Sequence, residues 1–121
     1  MASILIVEDN PANLKLATML LVKAGHGVSQ AVDGEAGVRL AQETRPDLVL
    51  LDIQMPGIDG LEAIRRLRSN PATAQLKIIA VTALAMKGDE ERIRAAGCDG
   101  YIAKPFHYRE FLEQVKAALA K

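Results

Sequence analysis

Apolar residues follow two patterns that alternate five times along the chain. Short runs of consecutive apolar residues are typical of strands buried on both faces of a sheet. Apolar residues three or four positions apart are typical of helices that cover such a sheet. The runs predict strands at residues 4–7, 28–32, 47–52, 78–81 and 101–103, and a segment with helical spacing follows each of them.

Capping residues indicate the ends of the first two helices. The first begins at Asn10-Pro11, an N-cap followed by a proline that suits the first helical position, and it stops at Gly25. The second is capped by Asp33 and ends before Pro46. The apolar face predicted for the first helix is formed by Leu14, Ala17, Leu21 and Ala24.

The other three helices are marked by capping, charge and apolar spacing. Asp59 and Glu62 resemble a capping box at the start of the third helix. Residues 89–94 place acidic side chains before basic ones, which complements a helix dipole, and Gly97 ends this fourth helix. The fifth carries an apolar stripe of Tyr108, Phe111, Leu112, Val115 and Leu119.

The alternation of five strands with five helices predicts the fold class. It is the pattern of an α/β protein with a parallel sheet, right-handed crossovers and helices on both faces. The 121 residues suit one domain with its own core.

Composition argues against several classes of partner. Lys and Arg together number 15, as do Asp and Glu, so no net field draws the chain to nucleic acid or to an anionic membrane. Residues 1–9 lack a charged n-region, and their apolar run is too short for a signal peptide or a membrane span. We expect a soluble, cytoplasmic protein with neither nucleic acid nor membrane as partner. The single cysteine, Cys98, is expected to be a small buried residue.

Polar side chains follow four of the predicted strands, and in a parallel sheet these strand ends share one edge. They belong to Glu8 and Asp9, Asp52, Thr82 and Lys104. Three carboxylates in one place repel one another, and a hard divalent cation with oxygen ligands relieves that repulsion. Mg²⁺ is the natural candidate, held directly by Asp9 and Asp52 and through water by Glu8.

A carboxylate beside Mg²⁺ can attack phosphorus and form an aspartyl phosphate. Asp52 is placed for that role, because it ends a buried strand just before a Pro-Gly loop. The Lys104 ammonium and the Thr82 hydroxyl would stabilise the transferring phosphoryl group.

These motifs strongly resemble the receiver domains of two-component response regulators. The resemblance extends from Ile4 to Leu119 and rests on the segments at 5–10, 51–60, 81–83 and 101–105. It implies a flavodoxin-like (βα)5 sheet of strand order 2-1-3-4-5. It also implies that a histidine kinase or phosphotransfer protein phosphorylates Asp52, with Mg²⁺ held by Asp9, Asp52 and the backbone carbonyl of Gln54.

The resemblance further implies a conformational switch. Thr82 would move towards the phosphoryl group, Tyr101 would change rotamer, and the face formed by the fourth helix, fifth strand and fifth helix would bind a downstream protein. Phosphorylation-dependent dimers are a further expectation. The Lys104–Pro105 bond is expected to be cis. Apart from its own Mg²⁺-dependent phosphorylation and dephosphorylation, the chain is not expected to be an enzyme.

Local departures from the family pattern bear on context and lifetime. Residues 85–94 look like those of stand-alone regulators of the DivK kind, and also like receivers attached to hybrid histidine kinases. Glu8 replaces the Asp often found there, which preserves outer-shell metal binding. Gln54 and Leu84 occupy positions that tune attack of water on the phosphoryl group. Because apolar Leu84 cannot orient water, the phosphorylated state is expected not to be among the shortest lived.

No output domain is expected, so the signal would pass by protein contact, unless the chain is a piece of a longer protein. One rival function is a Mg²⁺-dependent phosphatase like the haloacid dehalogenases, whose pattern places a second Asp where Gln54 stands. Another is a flavodoxin-like nucleotide binder, which would want a glycine-rich or hydroxyl-rich phosphate loop where this chain has acid. His26 and His107 lack metal-spaced partners and are assigned to the surface.

Overall fold

A single parallel sheet with five helices forms the frame of the molecule. The computed structural model describes residues 2–55, 57–83, 87–104 and 107–120. The strands are β1 (Ser3–Val7), β2 (Gly27–Ala31), β3 (Leu48–Asp52), β4 (Lys77–Thr82) and β5 (Gly100–Ala103). The helices are α1 (Pro11–Lys23), α2 (Gly34–Thr44), α3 (Gly60–Ser69), α4 (Lys87–Ala95) and α5 (Tyr108–Leu119). The strand order is β2-β1-β3-β4-β5, which confirms the predicted flavodoxin-like topology.

Alternate residues of each strand point into two separate cores. On β1, Ile4 and Ile6 belong to the core beneath α1 and α5, and Leu5 and Val7 belong to the core beneath α2, α3 and α4. All five residues of β3 are buried, as expected of a central parallel strand covered on both faces. The apolar runs of the sequence therefore reflect burial from both sides.

The predicted helix starts are confirmed by capping hydrogen bonds. Asn10 Oδ1 accepts from the backbone N–H groups of Ala12 and Asn13. Asp33 and Asp59 each accept one N–H in the same way, so the Asp-Gly pairs at 33–34 and 59–60 are helix caps. The capping box at α3 is only half formed, because Glu62 Oε2 pairs with Arg66 Nε at 3.1 Å.

Asp99, which begins the Asp-Gly pair at 99–100, has a structural role that the sequence did not indicate. Asp99 Oδ2 accepts from the backbone N–H of Ile78 and from Arg68 Nη2, both at 2.9 Å. The Arg68 guanidinium also donates to three backbone carbonyls, those of Ala74, Leu76 and Gly97. This network joins the end of α3 to the starts of β4 and β5, far from the carboxyl ends of the strands.

Three predictions at the margins of elements were wrong. Strand β2 ends at Ala31, whose carbonyl accepts from Glu8, and Val32 lies beyond this last bond with 58% of its surface exposed. Ala24 is the exposed C-cap of α1 rather than part of its buried face. Tyr108 is exposed at the start of α5, where only Phe111 and Val115 are fully buried.

Cys98 is half-buried rather than buried. Its thiol donates to the carbonyl of Ile93 at 3.4 Å, and burial raises its pKa. Across the part of the chain that the structure describes, no helix is long and apolar enough to cross a membrane.

Helix α2 ends in an unusual backbone conformation. Arg45 has φ 44° and ψ 67°, the left-handed region that glycine usually occupies at a helix end, and its N–H donates to the carbonyl of Ala41. The following residue, Pro46, cannot extend the helix. The chain therefore turns into β3 at a cost in backbone strain.

Replacing Arg45 by glycine should stabilise the protein. Relief of the left-handed strain exceeds the extra flexibility of the unfolded chain, so urea denaturation should show a gain of about 0.5–1 kcal/mol. Glu43→Gly, two residues earlier in ordinary helical backbone, should lose about 1 kcal/mol. A loss of stability in Arg45→Gly would contradict this account of the turn.

Candidate functional site

The carboxyl ends of the central strands bring together most of the polar residues predicted for the site. Glu8 directly follows β1, Asp52 and Thr82 end β3 and β4, and Lys104 directly follows β5. Glu8, Asp52 and Thr82 are each at most 5% exposed, whereas Asp9 is open to solvent. The parallel topology thus produces one cluster from residues up to 96 positions apart.

Three carboxylates form the acidic side of this cluster. One ligand oxygen from each of Glu8, Asp9 and Asp52 lies within 4.8 Å of the others. Charges this close and partly removed from water repel strongly unless a cation or proton lies among them.

Lys104 supplies one positive charge to the cluster. Its Nζ lies 2.7 Å from Glu8 Oε1 and 3.3 Å from Asp52 Oδ2, with 16% of the side chain exposed. Its backbone N–H donates to the carbonyl of Thr82 at 2.8 Å, which holds the residue beside the end of β4. Burial by itself would lower the pKa of Lys104, but the hydrogen bond to Glu8 and the charges of Asp52 and Glu8 outweigh it and raise the pKa.

Glu8 shows the strain of the acidic cluster. Burial, followed by the interaction with Asp52, raises the pKa of Glu8, although hydrogen bonds from Lys104 and from the backbone N–H of Asn10 oppose the rise. The ammonium and the amide therefore do not offset the combined effect of burial and of Asp52 on Glu8. A further cation would bind here with a gain in electrostatic energy.

The two carboxylate oxygens of Asp52 have different partners. Oδ1 accepts from the backbone N–H of Gln54 at 3.0 Å, and Oδ2 faces Lys104. The Gln54 side chain is exposed, whereas its neighbours Ile53 and Met55 are buried and anchor the loop. Backbone and ammonium thus orient the carboxylate from two sides.

Gly60 supports the site in a way that sequence reasoning missed. Its N–H donates to the carbonyl of Ile53 at 3.0 Å. A Cβ on Gly60 would lie 2.5 Å from Ile53 Cα and 2.8 Å from the Asp52 carbonyl oxygen, so only glycine allows α3 to begin against the end of β3. The available signal was a glycine in the first turn of a helix, where its low helix propensity suggests a close contact.

The two expected switch residues differ in burial and in distance from the carboxyl ends of their strands. Thr82 is fully buried next to the acceptor strand, since Asp52 pairs with Val81. Tyr101 pairs with Ala80, two positions before the end of β5, and is half-buried. Burial, then the charges of Glu90 and Asp89 on α4, raise the pKa of Tyr101.

Other predicted features lie elsewhere. Leu84 and Pro105 are outside the described residues, so the effect of Leu84 and the cis bond stay predictions. His26 is at the opposite edge of the sheet, where its Nδ1 accepts from the backbone N–H of Ala2 at 3.2 Å. His107 is exposed at the start of α5.

The donor set suits a hard divalent cation. All its groups are oxygens, they carry an excess of negative charge over the single ammonium, and one of them has a raised pKa. Within the described ranges, Glu8, Asp9 and Asp52 form the one group of three side chains with the spacing of a metal site. The residues present therefore fit Mg²⁺.

Solved structures with the same architecture include receiver domains from several organisms. The receiver domain of a sensor histidine kinase from Pseudomonas aeruginosa, solved with a magnesium ion coordinated in its active-site cleft, is 36% identical with a TM-score of 0.92, covering 99% of this chain and 98% of that one. The chemotaxis protein CheY4 of Vibrio cholerae is 26% identical with a TM-score of 0.91, covering 98% of each chain.

Sequence comparison leads to the same group of proteins. The polar-differentiation response regulator DivK of Brucella anthropi is 45% identical over 117 residues, which are 97% of this chain and 95% of that protein. Residues 4–116 match the family described as the response regulator receiver domain. The chain belongs to the receiver domains of response regulators, the signalling switches of two-component systems.

Proposed function

We propose that this receiver domain is switched by phosphorylation of Asp52, with a histidine kinase or a histidine phosphotransfer protein as the donor. The observation that carries the proposal is the placement of the Asp52 carboxylate, buried between two further carboxylates and the Lys104 ammonium. Charged groups brought together and partly buried at a strand end are typical of a functional site. The similarity to DivK along nearly the whole chain supports the same assignment.

The chemistry is a transfer between two protein side chains. An Asp52 oxygen attacks the phosphorus, the new P–O bond forms as the P–N bond to the donor imidazole breaks, and the imidazole leaves with the electron pair and takes a proton from solvent. Lys104 neutralises charge on the phosphoryl oxygens, and the Thr82 hydroxyl donates to one of them.

Mg²⁺ would be held by Asp9, Asp52 and the Gln54 backbone carbonyl, with Glu8 acting through water. When bound, it neutralises the carboxylates and the incoming phosphoryl group. Support comes from the oxygen cluster and from the magnesium in the Pseudomonas receiver domain. Glu8 would then exchange its contact with Lys104 for a water ligand, which frees the ammonium for the phosphoryl group.

The output of the switch is proposed to be the face formed by α4, β5 and α5. Movement of Thr82 and a rotamer change of Tyr101 would alter this face and its affinity for a downstream protein or a second copy of the domain. A groove of about 410 Å³ runs along it, lined by Arg94, Tyr101 and Gln114 among others. Partner contact therefore has a surface next to the switch residue.

The phosphatase rival is not favoured by the site. Gln54 presents an exposed amide where that chemistry needs a carboxylic acid, and its backbone N–H is engaged with Asp52. Stand-alone and kinase-attached receivers both occur among the relatives, and the identity to DivK favours the stand-alone kind.

Asp52→Asn should abolish phosphorylation. Wild-type protein incubated with acetyl phosphate and Mg²⁺ should gain one phosphoryl group by intact mass spectrometry, and hydroxylamine should remove it because an acyl phosphate is labile to that nucleophile. Asp59→Asn, which keeps the α3 cap, should label like wild type. Equal labelling of Asp52→Asn would assign the acceptor to another residue.

Stabilisation by Mg²⁺ should grow as the pH rises from acid to neutral. The pKa of Glu8 in the fold lies above its ordinary value of 4.5. Protonated Glu8 therefore stabilises the fold at a pH below 4.5, and this stabilisation is lost as the pH rises through the raised pKa. Mg²⁺ binds the ionised form, so its effect on the urea midpoint should increase over the same range. Glu8→Gln should weaken the pH dependence of stabilisation by Mg²⁺, whereas Glu113→Gln, at an exposed position, should leave it unchanged. Stabilisation by Mg²⁺ that does not vary with pH would contradict the prediction.

Lys104→Met should destabilise the metal-free protein at neutral pH by about 1–3 kcal/mol, because the buried carboxylates lose their ammonium partner. Added Mg²⁺ should restore part of this loss, since it supplies replacement charge. The control Lys116→Met, at an exposed position of α5, should change stability by less than about 0.5 kcal/mol. If Mg²⁺ stabilises Lys104→Met less than wild type, the proposed competition between the cation and the ammonium is wrong.

A further inference from the structure

The loop between β3 and α3, residues 53–59, controls two groups of the site. The backbone N–H of Gln54 orients Asp52 through its hydrogen bond to Oδ1, and the Gln54 carbonyl is a proposed ligand of Mg²⁺. The position of the loop therefore decides both the direction of the acceptor carboxylate and the place of a metal ligand.

Among the described residues of this loop, backbone-to-backbone hydrogen bonds are found at its two ends. Ile53 donates to the carbonyl of Val81 at 3.3 Å and accepts from Gly60 at 3.0 Å. Between these ends, the described residues 54–55 and 57–59 belong to neither a strand nor a helix. Met55 is buried and half-buried Ile58 packs against the core, so side-chain packing holds the far part of the loop.

Gly34, the buried first residue of α2, is where Ile58 meets the helix. A Cβ on Gly34 would lie 2.6 Å from Ile58 Cγ1 and 2.8 Å from the Ile58 carbonyl oxygen. Both distances are far below the optimal separation of about 3.5–4.0 Å for non-bonded atoms. A rotamer change could move Cγ1 away, but the carbonyl oxygen moves only if the loop backbone moves.

The first turn of α2 is a firm support for this contact. Asp33 accepts the backbone N–H of Ala36 with its side chain and that of Gly37 with its carbonyl. A Cβ on Gly37 would lie 2.7 Å from Val7 Cγ2, so the same turn also packs closely on β1 next to Glu8. One turn of α2 thus touches the strand that leads to Glu8 and the loop that follows Asp52.

We propose that Gly34 is a positioning residue for the metal site. The absence of a side chain there lets the β3–α3 loop seat against α2, and this contact holds the Gln54 carbonyl and Asp52 in the arrangement that binds Mg²⁺. The inference rests on the proposed magnesium site and adds to it a residue that touches neither metal nor phosphoryl group. Ile58 is the loop's half of the contact.

Gly34→Ala and Gly37→Ala form a matched pair on one helical turn. Each adds a methyl group at a close contact, so both are expected to lower stability. At Gly37 the three atoms nearest to the methyl all belong to the Val7 side chain, and the Val7 backbone is held by pairing with both Ala31 and Leu51. At Gly34 it meets the backbone of Ile58, which lies outside the strands of the sheet.

Nuclear magnetic resonance of the metal-free proteins and magnesium titration test the proposal together. Gly34→Ala should shift the backbone amide signals of Gln54 and Gly60 and speed their hydrogen exchange. It should also raise the Kd for Mg²⁺ about tenfold, as mutation of residues that support metal ligands typically does. Gly37→Ala should match wild type in both measurements. Ile58→Ala removes the side-chain part of the contact without adding bulk, so it should loosen the loop in the same way even if Gly34→Ala fails to fold.

The positioning role would be overturned if Ile58→Ala kept the amide signals of the wild-type loop and the wild-type affinity for Mg²⁺. It would also be overturned if the Gly37 and Gly34 variants showed equal changes. A wild-type protein that binds no Mg²⁺ would instead contradict the proposed function. In that case the loop amides of the metal-free variants still decide whether Gly34 positions the loop.

Discussion

Repulsion between carboxylates at one edge of the sheet is the constraint on which the site depends. The strand order places β1 beside β3, so Glu8 and Asp52 meet at neighbouring strand ends and are buried together. Lys104 reaches them from beyond β4, but its hydrogen bond does not offset burial and the neighbouring Asp52, so the pKa of Glu8 stays raised. The fold thus maintains a site that binds protons or cations favourably, and an acceptor that becomes reactive once its neighbours are neutralised.

Close backbone approaches give this electrostatic arrangement its geometry. Gly60 allows α3 to begin against the end of β3, and Gly34 allows the intervening loop to pack on α2. Neither glycine carries a functional group. A methyl group at Gly60 would meet the backbone of Asp52 and Ile53, and one at Gly34 would meet the backbone of Ile58 in the same loop. The helices therefore do more than cover the sheet, since their first turns set the position of the acceptor loop.

Much of the fold could be predicted because its signals are local. Apolar runs marked the strands, caps such as Asn10 and Asp33 marked helix starts, and the shared edge of a parallel sheet brought Glu8 and Asp52 together. The errors have non-local causes. Val32 follows an edge strand whose pairing ends at Ala31, and the left-handed Arg45 looks in sequence like any helical residue. Gly34 meets Ile58, and Gly60 meets the end of β3. Both contacts depend on tertiary packing, which the spacing of residues along the sequence does not reveal.

A crystal structure of the protein with Mg²⁺ and beryllium trifluoride, a mimic of the phosphoryl group, would test whether Asp52 accepts phosphate beside a bound metal ion. We expect the beryllium to bind an Asp52 oxygen, Mg²⁺ to contact Asp9, Asp52 and the Gln54 carbonyl, and Lys104 to leave Glu8 for a fluorine of the mimic. Beryllium trifluoride on another residue, or a metal bound away from Glu8, Asp9 and Asp52, would contradict this expectation.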